Sequence, residues 1–118
     1  MVPQQRTLPL DEIFFALSDP KRRSILQTLQ KGPSSVSDLS SPFTDTISPP
    51  AFSRHLRVLE TAGLIENERV GKGRVCRLRP LGLLEAADYV NEFEAFWRGR
   101  FDELREFLKS DPNDPNHA

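Results

Sequence analysis

Residues 48–63 read SPPAFSRHLRVLETAG, and the reading of this stretch decides the fold. Phe52, Leu56 and Leu59 recur at i, i+4 and i+7, the spacing that gathers apolar side chains on one face of a helix. Ser53, Arg54 and Arg57 fall on the other side, with Pro50 above them. Ser48 is a capping residue, and Pro49 or Pro50 can occupy the first turn, where a missing N–H has no helical partner to lose. Gly63 has the left-handed freedom that a helix C-terminus uses. The expected element is a short helix with one buried stripe and an outward face bearing two cations and a hydroxyl.

Two arginines on a helix are more often a solvated face than a nucleic-acid reader, so the rest of the chain decides. The chain has 118 residues, enough for one domain with one modest core. It carries 28% charged residues, no apolar run of membrane-spanning length and no signal-peptide pattern, so a cytoplasmic protein is expected. The lone Cys76 supports neither a disulfide framework nor a multi-thiolate metal site within one chain. The net charge of −1 looks unfavourable for a nucleic-acid partner, but the charge is segregated. Residues 52–79 hold seven Lys/Arg against three Glu, whereas from residue 80 onward four basic residues face nine acidic ones. A basic patch, rather than a high isoelectric point, is the electrostatic footprint of DNA binding.

Working outward, residues 1–9 show little periodicity and read as a flexible N-terminal arm. Leu10, Ile13, Phe14 and Leu17 form a short helical stripe, broken at Ser18-Asp19-Pro20. Asp19 caps a second helix, 20–30, that buries Ile25, Leu26 and Leu29; Arg22 and Arg23 read as its solvated end. Ser34 or Ser35 caps a third, short helix over 36–40, and Phe43 and Ile47 are placed to plug the connection that follows. Beyond the 48–63 helix, residues 64–70 and 74–78 read as two strands joined by Gly71-Lys72-Gly73. A two-stranded wing thus follows a helix with the outward chemistry of a major-groove reader.

Pro80 opens a last helix, read as continuous to about residue 108. Leu83, Ala86, Val90, Phe93, Trp97, Phe101, Leu104 and Leu108 recur along it at three and four residues. A stripe this aromatic exceeds what a small core can cover, so a dimer interface is expected, built from Leu10, Phe14, Val90, Phe93, Trp97, Phe101, Leu104 and Leu108. The domain is then 10–109, and residues 110–118 read as a disordered tail.

This order of elements resembles the winged-helix repressors of the ArsR type. The strings ALSDPKRRSILQTL (16–29), AFSRHLRVLETAGLI (51–65), VGKGRVCRL (70–78) and FEAFWRGRFDELREFL (93–108) carry the resemblance over roughly residues 10–108. It implies a mainly α fold with a two-stranded β-wing, a winged helix-turn-helix in the order helix-helix-helix-helix-strand-strand-helix. It implies a DNA-binding transcriptional regulator, a homodimeric repressor on an inverted-repeat operator. By the same resemblance Pro49, Pro50, Ser53, Arg54, His55 and Arg57 face DNA, and Lys72 and Arg74 sit on the wing. Metal-sensing members carry Cys-Val-Cys-Asp-Leu on the third helix; here the matching residues are Ser35-Val36-Ser37-Asp38-Leu39. Serine is a poor ligand for thiophilic ions, and the last helix contains no histidine, so the chain resembles the metal-independent branch and no metal or cofactor is expected. The turn before residue 48 is a residue or two longer than usual in the family.

Two other readings compete. A winged helix that has become a protein-interaction module would have no reason to concentrate positive charge in its wing and reading helix. An enzyme lacks a nucleophile–base pair, a phosphate loop or a carboxylate dyad with a place to converge. Cys76 reads as a small strand filler, with a redox thiolate activated by Arg74 and Arg77 as the sharper alternative.

Overall fold

The computed structural model describes the backbone of residues 2–109 and side chains from residue 9 onward; the expected tail, with His117, lies outside the described residues. The chain divides into two compact units, one through Ala86 and one from Ala87. None of the described helices is long and apolar enough to cross a membrane.

Helix α1 spans Val2–Leu17 with Pro9 inside it, so the stretch expected as an arm is helical from its second residue. Its buried face is Ile13 and Ala16, with Leu17 packed against the core; Phe14, expected on that stripe, is largely exposed. Asp19 caps α2 (Pro20–Leu29), its Oδ1 accepting from the Lys21 and Arg22 N–H groups at 2.7 and 3.3 Å. Ile25, Leu26 and Leu29 are buried, as their spacing requires.

A short strand, β1 (Ser34–Ser35), leads into α3 (Val36–Ser40), and Ser35 serves both elements. Its hydroxyl accepts the Asp38 N–H at 3.0 Å, capping α3. A 3₁₀ turn, Ser41–Phe43, follows. Helix α4 (Pro49–Thr61) begins at Ser48, whose Oγ accepts from Ala51 N–H at 3.2 Å. It buries Phe52, Leu56 and Leu59 and ends at Ala62, with Gly63 in the left-handed region at φ 76°.

Strands β2 (Ile65–Val70) and β3 (Gly73–Leu78) form the antiparallel hairpin, with Gly71 at φ 61° in the first central position of its two-residue turn. The sheet has a third member that the sequence did not reveal: β1 pairs with β3, giving the order β1-β3-β2. Ile13, Ile25, Leu59, Leu64, Ile65 and Cys76 are the largest fully buried side chains among the described residues, so helices and sheet share one core. At the start of α5 (Pro80–Asn91), Gly82 lies so close to the Gly63 carbonyl that a Cβ would collide with it, and the corner after α4 is packed backbone to backbone.

The last helix is not continuous. It breaks at Glu92–Phe93, and α6 runs over Glu94–Lys109. Phe93 N–H turns back to the Val90 carbonyl at 3.1 Å, and the Trp97 indole N–H donates to that same oxygen at 3.2 Å. With the Val90 carbonyl taken by these two donors, the ladder tightens to a three-residue spacing and the helix ends there. Trp97 stacks on Phe101 with centroids 5.6 Å apart, and Arg100 lies over Phe96 at 4.9 Å.

Arg22 departs most from its expected solvated position, being only 7% exposed. Its Nε donates to Ala16 O at 2.8 Å and its Nη2 to Phe15 O at 3.1 Å, the latter oxygen also accepting from Ser18 N–H and Oγ, so the guanidinium helps satisfy the last carbonyls of α1. It also lies 5.1 Å from the Phe15 ring centroid. Arg22 Nη1 approaches His55 Nδ1 at 3.1 Å. Arginine has no acceptor, so Nδ1 must accept and the ring is neutral with its proton on Nε2. This contact ties α4 to the α1–α2 corner.

Burial first, then the charges of Arg22, Lys21 and Arg54, hold the His55 pKa below its ordinary value of 6.5, against an opposing pull from Asp19. The folded chain therefore binds this proton more weakly than the unfolded chain. The contribution is complete above pH 6.5 and is lost as pH falls through that value toward the lower folded one. The melting temperature is expected to drop between about pH 7.5 and about pH 5.5 more steeply in the wild type than in His55→Asn. Parallel curves for the two proteins, measured by differential scanning calorimetry, would contradict the neutral-ring contact.

Candidate nucleic-acid interface

The three apolar residues that anchor α4 also set which side of it meets solvent. With Phe52, Leu56 and Leu59 buried, Pro49, Pro50, Ser53, Arg54 and Arg57 are all exposed on the outward side. Phe43 packs on Phe52 at 5.7 Å between centroids, and Phe43 and Ile47 are half-buried against the core, so the long turn into α4 is held down as expected. His55 is the exception among the expected DNA-facing residues of α4. It is half-buried and its Nδ1 is engaged by Arg22, so this edge of the ring faces the α1–α2 corner.

The hairpin register sorts its side chains by charge. Ile65, Asn67 and Arg69 share one face with their cross-strand partners Leu78, Cys76 and Arg74. Glu66 and Glu68 share the other face with Arg77 and Val75, and Arg77 Nη2 meets Glu68 Oε1 at 3.4 Å. Both strand acids are thus on one side and two arginines on the other. Lys72 is exposed at the tip.

Between α4 and the first of these faces lies a notch of about 300 Å³, lined by Ser53, Leu56, Arg57 and Glu60 of α4, Val36 of α3, Asn67 of β2 and Arg74 of β3. Asn67 and Arg69 were not singled out by sequence reading. Their shared face depends on the strand register, and each alone reads as an ordinary polar position.

Cys76, the cross-strand partner of Asn67, is fully buried. Desolvation pushes its thiol pKa up, the negative charge of Glu60 adds to this, and Arg74 only partly opposes it. That is the reverse of an arginine-activated thiolate, and the strand-filler reading stands. Of the residues matching the metal box, Ser35 is used as the cap of α3 and Ser37 is exposed. Among the described residues no group of three or more His, Cys, Asp or Glu converges. The arrangement offers an exposed cationic face running from a helix to a hairpin tip, suited to a polyanion.

Comparison with known proteins agrees with this geometry. Residues 17–68 match a family described as a helix-turn-helix domain. The chain is 34% identical over 104 residues to the HTH-type transcriptional regulator Rv2034 of Mycobacterium tuberculosis, covering 88% of this chain and 92% of that one. It is 38% identical over 84 residues to the transcriptional repressor SdpR of Bacillus subtilis, covering 71% and 91% respectively. Among solved structures, an ArsR family transcriptional regulator superposes with a TM-score of 0.72 at 33% identity, covering 78% of this chain and 93% of that chain. A winged helix-turn-helix domain from Mycobacterium bovis shares the fold at 23% identity and a TM-score of 0.57. The chain belongs to the ArsR family of winged helix-turn-helix, DNA-binding transcriptional regulators.

Proposed function

We propose that the chain acts as a homodimeric repressor that reads an imperfect inverted repeat through α4 and neutralises flanking phosphates through its wing. The observation that carries this reading is the exposed set Ser53, Arg54 and Arg57 on α4 together with Lys72 and Arg74 on the hairpin, whose four cations have no partner among the described ion pairs. Two reading helices on a dimer meet successive major grooves ~34 Å apart, which requires a two-fold related operator. Support for the dimer comes from the second unit, where Phe93, Trp97, Phe101, Leu104 and Leu108 remain exposed in the single chain. Val90, and Leu10 and Phe14 of α1, are assigned to the same interface. An exposed aromatic stripe of this extent is covered by a partner rather than left to solvent.

A gel shift against the DNA upstream of the chain's own gene tests the reading; a salt-sensitive shift is expected, and none there or on other candidate operators would end it. The basic elements are expected to separate in their effects. Arg54→Ala should cost roughly 1–3 kcal/mol on cognate DNA and much less on random DNA, as for a base contact. Lys72→Ala should weaken both alike and make the salt dependence shallower by about one unit of slope. Equal losses on both DNAs for Arg54→Ala would make it a phosphate clamp and leave base reading to Ser53 or DNA shape. Light scattering at micromolar concentration should give a dimer for the intact chain and a monomer or insoluble protein for a chain ending at Ala87. A stable monomer of the intact chain would contradict the interface.

A further inference from the structure

Helix α4 carries a second stripe besides its buried one. Arg54, Arg57, Val58 and Thr61 recur at i, i+3, i+4 and i+7 and so share one face. Glu12 and Phe15, a turn apart on α1, share a face in the same way. Together these residues line a groove of about 300 Å³ between the two helices, and its surface is almost wholly apolar. Val58 is half-buried against the core, whereas Phe15 is 61% exposed, its ring steadied by the guanidinium of Arg22. Arg54 and Arg57 have no partner among the described ion pairs, and Glu12 meets neither of them.

An exposed phenyl ring beside two unneutralised guanidiniums is complementary to a molecule with a flat apolar end and an anionic end. A ring gains by stacking on Phe15, and the planar fork of an arginine matches a carboxylate. An inorganic anion would leave the apolar surface wet, and a neutral ring would leave the arginines unpaired. Small-ligand sites have this composition, mostly apolar with a few polar groups that fix orientation. We propose that the α1–α4 groove is an effector site for a small aromatic carboxylate, its ring on Phe15 and Val58 and its carboxylate held by Arg54 and Arg57. The same arginines belong to the outward face assigned to DNA, so ligand and operator compete for them and the ligand releases the DNA. Glu12 repels the carboxylate and keeps the site weak enough to empty again. The release step rests on the reading of α4 as the DNA-contacting helix; the binding step does not.

Isothermal titration calorimetry of the full chain without DNA tests the binding step, with phenylpropionate as the probe. Saturable binding is expected, with the uncharged phenylpropionamide weaker by about tenfold, the loss of a charge-assisted hydrogen bond. Nonanoate, equal in carbon number but not aromatic, should bind more weakly than phenylpropionate. Phe15→Ser should remove the saturable heat and keep the wild-type oligomeric state and duplex affinity. Glu12→Gln should tighten phenylpropionate by about two- to fivefold, the span of an exposed ion interaction. A gain of affinity cannot come from a folding defect. No saturable binding, equal binding of the amide, tighter binding of nonanoate, or no gain in Glu12→Gln overturns the site. A change of oligomeric state in Phe15→Ser overturns it as well and assigns this face to a second copy of the chain.

Fluorescence anisotropy on the operator duplex, with ionic strength held constant by chloride, tests the release step. The apparent Kd for DNA should rise without a plateau as phenylpropionate is added to the wild type, and stay constant in Phe15→Ser. A plateau, or no rise at concentrations that saturate the calorimetric site, means that both bind at once and overturns the competition for Arg54 and Arg57. If the wild type binds no duplex at all, the DNA-contacting reading of α4 fails and the release step with it, while the calorimetry alone decides the site.

Discussion

The burial of Phe52, Leu56 and Leu59 is the constraint on which the rest of this structure depends. Each such side chain contributes roughly 1.5–3 kcal/mol when removed from water, so the three together hold α4 firmly in one rotational setting. That setting leaves only one direction for Ser53, Arg54 and Arg57, and the direction is outward. Gly63 then turns the chain at φ 76°, Leu64 and Ile65 enter the core, and the hairpin starts from a fixed point beside the helix. The relation of reading helix to wing follows from core packing rather than from any contact between their charged groups.

Three environments give the same residue type three roles. Arg22 is buried because the Ala16 and Phe15 carbonyls at the end of α1 and the His55 ring use its donors, and a lysine could not reproduce that fork. Arg77 is drawn to Glu68 on the outer face of the hairpin, an exposed pair that contributes little to stability. Arg54, Arg57, Arg69 and Arg74 have no such partner among the described ion pairs, and all belong to α4 or to the hairpin face that continues toward the core residues Cys76 and Ile65. Cations left unneutralised on one side of a chain whose net charge is −1 are consistent with a partner that brings the negative charge.

What was legible in the sequence is what local chemistry determines. Ser48, Pro49 and Gly63 bracket α4, Asp19 with Pro20 starts α2, and Gly71 makes the hairpin turn, each through contacts within a few residues. The departures all involve partners distant in sequence or in competition. Arg22 meets His55, 33 positions away, and only the assembled corner makes the arginine buried. Strand β1 is two serines long and exists because β3 offers an edge, which no propensity reports. The break between α5 and α6 depends on an indole reaching back seven residues to a backbone carbonyl, a choice invisible to periodicity because the apolar spacing continues through it. The exposure of Ser53, Arg54 and Arg57 on α4 and of Lys72 at the hairpin tip was readable from pattern. The shared face of Asn67, Arg69 and Arg74 needed the strand register, and the half-burial of His55 needed Arg22.

A homodimeric repressor of this fold would bring two copies of α4, held at a fixed spacing, to the same face of a duplex. Hydroxyl-radical footprinting of the intact chain on the DNA upstream of its gene tests this most directly. The account predicts two protected patches related by a two-fold axis and separated by about one helical turn, ~34 Å. A single patch without a symmetry mate, or protection spread evenly along the duplex, would contradict it.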